Sequence, residues 1–182
     1  MSVTSLRSNQ VGNFTVEFAI VGAFVALLLV FSGDVIIKIS THGKLDRLSY
    51  SLVNVLKERT QLYDNDYRIT QDEANAIIAI GRNSLNRTIG GFNANRFGAR
   101  VEELTFRSIG NPNPLRTFHI GGRRCQVSQT LDNMRDLSVV TSWERQATLY
   151  RITLCYETDN WFGSLIGEQF TTVSSSSVML GR

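Results

Sequence analysis

The chain has 182 residues, with 19 Lys plus Arg against 16 Asp plus Glu, a net charge of +3 and 42% hydrophobic residues. Charges so evenly mixed, with no run of five or six of one sign, exclude an acidic tail or a basic nucleic-acid-binding arm. The length suits one membrane segment plus one ordinary domain with a modest core.

Residues 1–12 are short and polar, with Arg7 the only basic residue. From Gly12 to Gly33 the chain reads GNFTVEFAIVGAFVALLLVFSG, and Glu17 is its single charge. The stretch 13–33 is long enough to cross a hydrocarbon core of about 30 Å as a helix. An ionised group within a span costs about 2.5–3.5 kcal/mol at mid-bilayer and less toward the edge. A cut after Gly12 would make Asn13 a new N-terminus whose positive α-amine lies four residues from Glu17, on the same helix face. That cut would also put the carboxylate in the first turn, where the helix dipole favours it. Two plainer readings remain at this point. A cleaved secretory signal wants a basic leader and small residues at the cut, whereas Phe31-Ser32-Gly33 places an aromatic three positions before it. An uncleaved anchor would leave Glu17 to snorkel to the interface.

Beyond Asp34 the helix is expected to continue to about residue 60. Leu45, Leu48, Leu52, Val55 and Leu56 recur at steps of three and four, and no proline interrupts 13–59. Gly33 and Gly43 are the expected bend points of a helix of about 70 Å. A second helix starts at the capping box Thr70-Gln71-Asp72-Glu73 and carries Ala74, Ile77, Ile78, Ile80 and Leu85 toward Gly90-Gly91. Strands follow. Val101, Leu104, Phe106 and Ile109 alternate imperfectly, Asn-Pro-Asn-Pro (111–114) turns the chain, and 115–120 returns as a hairpin partner. In 147–156, Tyr150, Ile152, Leu154 and Tyr156 form the expected core face, opposite Leu149, Arg151, Thr153 and Cys155. A last strand is expected over 169–179. The fold class is α+β: a long N-terminal helix, a second helix and an antiparallel sheet of about four strands.

Cys125 and Cys155 are the only cysteines. In a domain outside the cytoplasm they would form one disulfide; in a cytoplasmic domain they would be two buried thiols. With His42 and His119 they lack any zinc-ligand spacing. The phosphate-loop, His-Glu-x-x-His and Gly-x-Ser-x-Gly patterns are absent, and 90–98 is glycine-containing without the lysine that a phosphate loop needs. No catalytic residue, cofactor or small-molecule substrate is therefore expected. Arg96, Arg100, Arg123 and Arg124 read as solvated loop charges rather than a nucleic-acid surface.

The N-terminal pattern resembles the class III leader of type IV-like prepilins: a short polar leader, Gly12 at the cut, Glu17 fifth in the mature chain, Phe18 sixth, then an apolar helix. The Phe at that sixth position and the long domain behind the helix look like the TadE/TadF-type pseudopilins of the tight-adherence (Flp) pilus system, with TadF favoured. The ending Ser-Ser-Ser-Ser-Val-Met-Leu-Gly-Arg (174–182) is similar to the C-terminus of that group. The resemblance implies a leader over 1–12, a transmembrane helix over 13–33, a helix extension over 34–60 and an extracytoplasmic α+β domain over 61–182. It also implies cleavage at Gly12–Asn13 by a prepilin peptidase and charge pairing through Glu17. The implied location is the bacterial inner membrane, and the implied partners are the major Flp pilin and a partner pseudopilin. The basic residues Lys38, Lys44 and Arg47, set against Arg7, would by themselves place the domain in the cytoplasm. The leader reading places it on the periplasmic side and is preferred, since the helix continues through these residues. A periplasmic scaffold protein that never enters a filament is the alternative.

Overall fold

The computed structural model describes the backbone of residues 11–62 and 68–181, so the expected leader lies outside it except for its last two residues. The first helix, α1 (Val11–Leu62), runs through Gly33 and Gly43 with no interruption of helical structure. The described part of α1, from Val11, has no acid in its first turn, and the first-turn place of Glu17 is an expectation for the chain cut after Gly12. Two compact units divide the fold. Among the described residues, one consists of 11–37 together with Asp159–Phe170; the other holds those from Lys38 to Thr158 and from Thr171 onward.

The larger unit is built on a four-stranded antiparallel sheet of order β4-β1-β5-β6, formed by β1 (Phe97–Leu104), β4 (Arg116–Gly121), β5 (Leu149–Glu157) and β6 (Thr172–Leu180). Between β1 and β4, the short β2 (Phe106–Ser108) and β3 (Asn111–Pro112) make the expected turn a small hairpin of its own. The hairpin partnership holds, since Glu103 pairs with Arg116 and Gly98 with Gly121. One face of the sheet packs Phe97, Val101, Ile152 and Leu154 against Leu45, Leu52 and Leu56 of α1 and Ile78 and Leu85 of α2 (Gln71–Thr88).

Helix α2 begins as its capping box dictates. The Thr70 hydroxyl accepts from the Glu73 amide at 3.3 Å, and the Glu73 carboxylate accepts from the Thr70 amide at 2.7 Å. Two members of the expected apolar stripes are misplaced, since Val55 and Ile80 are more than half exposed. Helical rotation of about 100° per residue puts Val53 and Gly81 on the buried faces instead. At Gly81 the helices approach closely, because a Cβ there would stand 2.7 Å from Cδ1 of Leu52.

The second face of the sheet is covered as well, which the alternation of β5 did not announce. Leu149, Arg151, Thr153 and Cys155 are as buried as the core face opposite. Their cover is the segment after β4, whose 3₁₀ stretch Leu131–Leu137 packs Leu131 on Leu104 and Leu149. The last strand begins at Thr172 rather than 169, because Gln169 and Phe170 belong to the smaller unit.

Candidate membrane-anchoring and assembly site

Every residue from Phe14 to Leu29 is exposed, and apart from Thr15 and Glu17 all of them are apolar or glycine. A helix that is apolar on all sides must be buried, in a core or in a membrane, because water cannot solvate such a surface without cost. Among the described residues no core covers it. Phe14 to Gly33 is also long enough for a bilayer at 1.5 Å per residue. The apolar surface continues past Gly33 through the exposed Ile36, Ile37 and Ile39, while Asp34 is buried. At the other end, Phe14 and Phe18 stack at 6.4 Å one helical turn apart, and Glu17 stands exposed beside them. Gly12 and Asn13 lie in the backbone of the first helical turn.

The chain is matched over residues 5–182 by a family model, TadF, described as "Putative tight adherence pilin protein F". It belongs to the TadF family. No curated protein and no solved structure matches it. The long apolar helix and a pilin family together fit a membrane-anchored protein, and the favoured TadF resemblance agrees with the family matched.

In this TadF-family chain the continuation of α1 is fixed to the edge strand β6 by polar contacts. Ser175 donates to Oδ1 of Asp46 at 2.9 Å, Ser49 and Ser177 share a hydrogen bond of 2.8 Å, and Nδ1 of His42 lies 3.1 Å from the Ser174 carbonyl. Two small hydroxyl side chains on the same face of β6, those of Ser175 and Ser177, let the helix lie close and give its buried Ser49 a partner. The serine-rich ending, noted in the sequence only as a resemblance, thus has a structural use.

Sequence reasoning missed a buried ionic cluster. Glu102 on β1 is fully buried, and Nε of Arg151 donates to it at 2.5 Å across the β1–β5 pair. Arg100 donates to the same carboxylate at 2.8 Å, so this arginine lies on a strand and not in a solvated loop. Arg151 also donates to the Gln129 carbonyl at 2.8 Å, tying the covering segment to the sheet. Neighbouring Glu103 faces the other way and accepts from the Ile69 amide at 3.1 Å, just before α2. The signal for both was present as two consecutive acids in a strand whose other residues, Arg100 apart, are apolar or glycine, but only the tertiary fold shows that both are buried.

Cys125 and Cys155 are joined, with an S–S distance of 2.07 Å, and Cys155 lies across from Gly98. A Cβ at Gly98 would fall 2.1 Å from the Arg123 carbonyl oxygen, so the covering segment can pass this closely only over glycine. Arg123 itself pairs with Glu157. His119 is on the exposed side of β4, with its pKa lowered by partial desolvation first and then by Arg100 and Arg124. It is a surface histidine, and among the described residues no group of three His, Cys, Asp or Glu side chains could hold a metal.

Proposed function

We propose that this chain is a pseudopilin, or minor pilin, that contributes to assembly of a tight-adherence pilus after a prepilin peptidase cuts the Gly12–Asn13 bond. The observation that carries this reading is the uncovered apolar helix behind Gly12, with Glu17 its one charge, in a chain of a pilin family. Before assembly α1 anchors the subunit in the bacterial inner membrane, leader inside and the remaining domain in the periplasm. After the cut, the α-amine of Asn13 pairs with Glu17 of the same or a neighbouring subunit. The helix then joins a bundle with the major Flp pilin or a partner pseudopilin, where the bilayer is exchanged for other apolar helices. The role is structural, and no step needs a catalytic group or cofactor from this chain.

The decisive test is the N-terminus of the protein isolated from its native host. Intact mass and N-terminal sequencing are expected to begin at Asn13, and Gly12→Leu is expected to leave full-length precursor in the membrane, by crowding a subsite that takes glycine. An intact leader in a host with an active prepilin peptidase would overturn the processing step.

A further inference from the structure

Between β5 and β6 the chain makes an excursion, Asp159–Phe170, that includes the short helix α3 (Trp161–Ile166). Its composition is unusual for an exposed connection. Trp161, Leu165, Ile166 and Phe170 are each more than half exposed, and the only charges are the acids Asp159 and Glu168 near its two ends. The excursion is compact with the membrane helix, and the ring of Phe162 meets Phe31 edge-on at 4.9 Å. Phe31 lies within the apolar run of α1, and three exposed isoleucines follow it toward residue 39.

Part of the backbone of this excursion is bonded from inside. The Asn160 side chain donates to the Glu168 carbonyl at 2.7 Å and accepts from the Phe170 amide at 3.3 Å. The Glu168 amide bonds the Gly163 carbonyl at 2.9 Å, and the Ser164 hydroxyl bonds the Asn160 carbonyl. Gly163 leaves room for this clasp, since a Cβ there would stand 2.2 Å from Oδ1 of Asn160. Gly167 closes α3 in the left-handed region at φ 77°. Apolar side chains turned outward over a partly self-bonded backbone suit a segment lying in the bilayer interface, where water still reaches the remaining amides while hydrocarbon takes the side chains. Tryptophan and phenylalanine are also the side chains that favour the interface between headgroups and acyl chains.

We propose that Asp159–Phe170 is a second membrane contact, a lobe that lies in the bilayer interface beside the Phe31 end of α1, with Trp161, Leu165, Ile166 and Phe170 among the acyl chains. This rests on α1 crossing the bilayer. The lobe has no basic residue, so penetration of apolar side chains holds it there, not attraction to anionic lipid. It gives the anchor a second point of attachment that resists rotation of α1 about its axis.

The test uses the full chain with Trp143→Phe, which leaves Trp161 as the only tryptophan and alters a side chain that is 80% exposed. The protein is reconstituted in phosphatidylethanolamine–phosphatidylglycerol vesicles containing lipids brominated at shallow or deep acyl positions. Retention on the vesicles after an alkaline carbonate wash reports on α1 alone. The expected result is a retained protein whose Trp161 emission is lost to shallow bromines more than to deep ones, and is little affected by aqueous iodide. Leu165→Glu with Ile166→Glu in the same background is expected to restore emission and open Trp161 to iodide while the protein stays retained. A retained protein whose Trp161 ignores brominated lipid overturns the proposal. Access to iodide would then mean a solvated loop, and shielding from both quenchers a surface covered by another protein chain. A protein washed off the vesicles overturns the anchoring reading, and the lobe with it.

Discussion

Glu17 is the only charge between Gly12 and Gly33, and what it costs depends on the partner it meets. Alone in lipid near the span's edge it carries a modest penalty; beside an α-amine in a dry helix bundle it neutralises a charge that would otherwise be stranded. Glu17→Ala is therefore expected to insert normally and to be cut normally, but to lose association with other pilus subunits. An unpaired buried charge costs about 3–5 kcal/mol, two to three orders of magnitude or more in a binding constant. Co-purification with the other subunits and pilus counts would check this, and Glu17→Gln is expected to fail nearly as badly because it keeps shape without charge. Normal piliation by Glu17→Ala would remove the carboxylate from the assembly mechanism. A second single-residue prediction concerns Arg151, which is 2% exposed against fully buried Glu102. Arg151→Met leaves the carboxylate to Arg100 alone and is expected to destabilise the domain by about 3 kcal/mol, the low end for a broken buried pair. Thermal melting of the full chain in lipid nanodiscs would measure it. Adding Glu102→Leu to Arg151→Met is expected to recover much of the loss, since an apolar pair needs no ionic partner.

Among the elements, α2 shows how local signals and tertiary packing combine. Its start is fixed by Thr70 and Glu73, and its buried face then supplies Ile77, Ile78 and Leu85 to the core. Thr70→Ala removes both hydroxyl contacts with Glu73 and is expected to cost about 1 kcal/mol, read as a lower midpoint in denaturant with an unchanged slope. A loss below a few tenths would mean that packing alone sets the start of the helix. Helix α1 carries two different surfaces on one continuous element. Up to Ile39 its exposed side chains are mostly apolar, whereas from Leu45 onward a stripe faces the core and the rest, Tyr50 and Val55 apart, is polar. In the proposed anchoring, the change from an all-round apolar surface to a one-sided stripe is where lipid would give way to protein as the burying medium.

For the whole molecule, the bond between Cys125 and Cys155 links fold to compartment. It ties the covering segment to the central strand and closes a loop spanning 30 positions in sequence. In the chain-entropy account such a loop stabilises the native state by about 3.5 kcal/mol. Non-reducing peptide mapping of protein taken directly from the cell envelope is expected to recover this one linked pair, and Cys125→Ser is expected to lower the melting temperature. Free thiols in that material would place the domain in the cytoplasm and favour the count of Lys38, Lys44 and Arg47 over the leader.

The local and periodic features of this chain were legible without coordinates: the apolar run behind Gly12, the capping box at Thr70, the hairpin around 111–114, and the core face of Tyr150, Ile152 and Leu154. Each depends on neighbours within a few residues, where helical and strand periods or turn chemistry act directly. The α+β class follows from them, whereas the family was legible only as a resemblance of the leader pattern and tail to TadE/TadF-type pseudopilins, and the family match shows TadF. The tertiary structure alone decided what covers each surface. Only folding revealed that both faces of β5 are buried, that Glu102 and Arg151 meet 49 positions apart, and that the terminal serines receive α1. It also decided that 159–170 belongs with the membrane helix, through a ring contact between Phe31 and Phe162. Such contacts join residues distant in the chain, and no period or local propensity encodes the partner of a side chain that lies across a sheet or beside a helix.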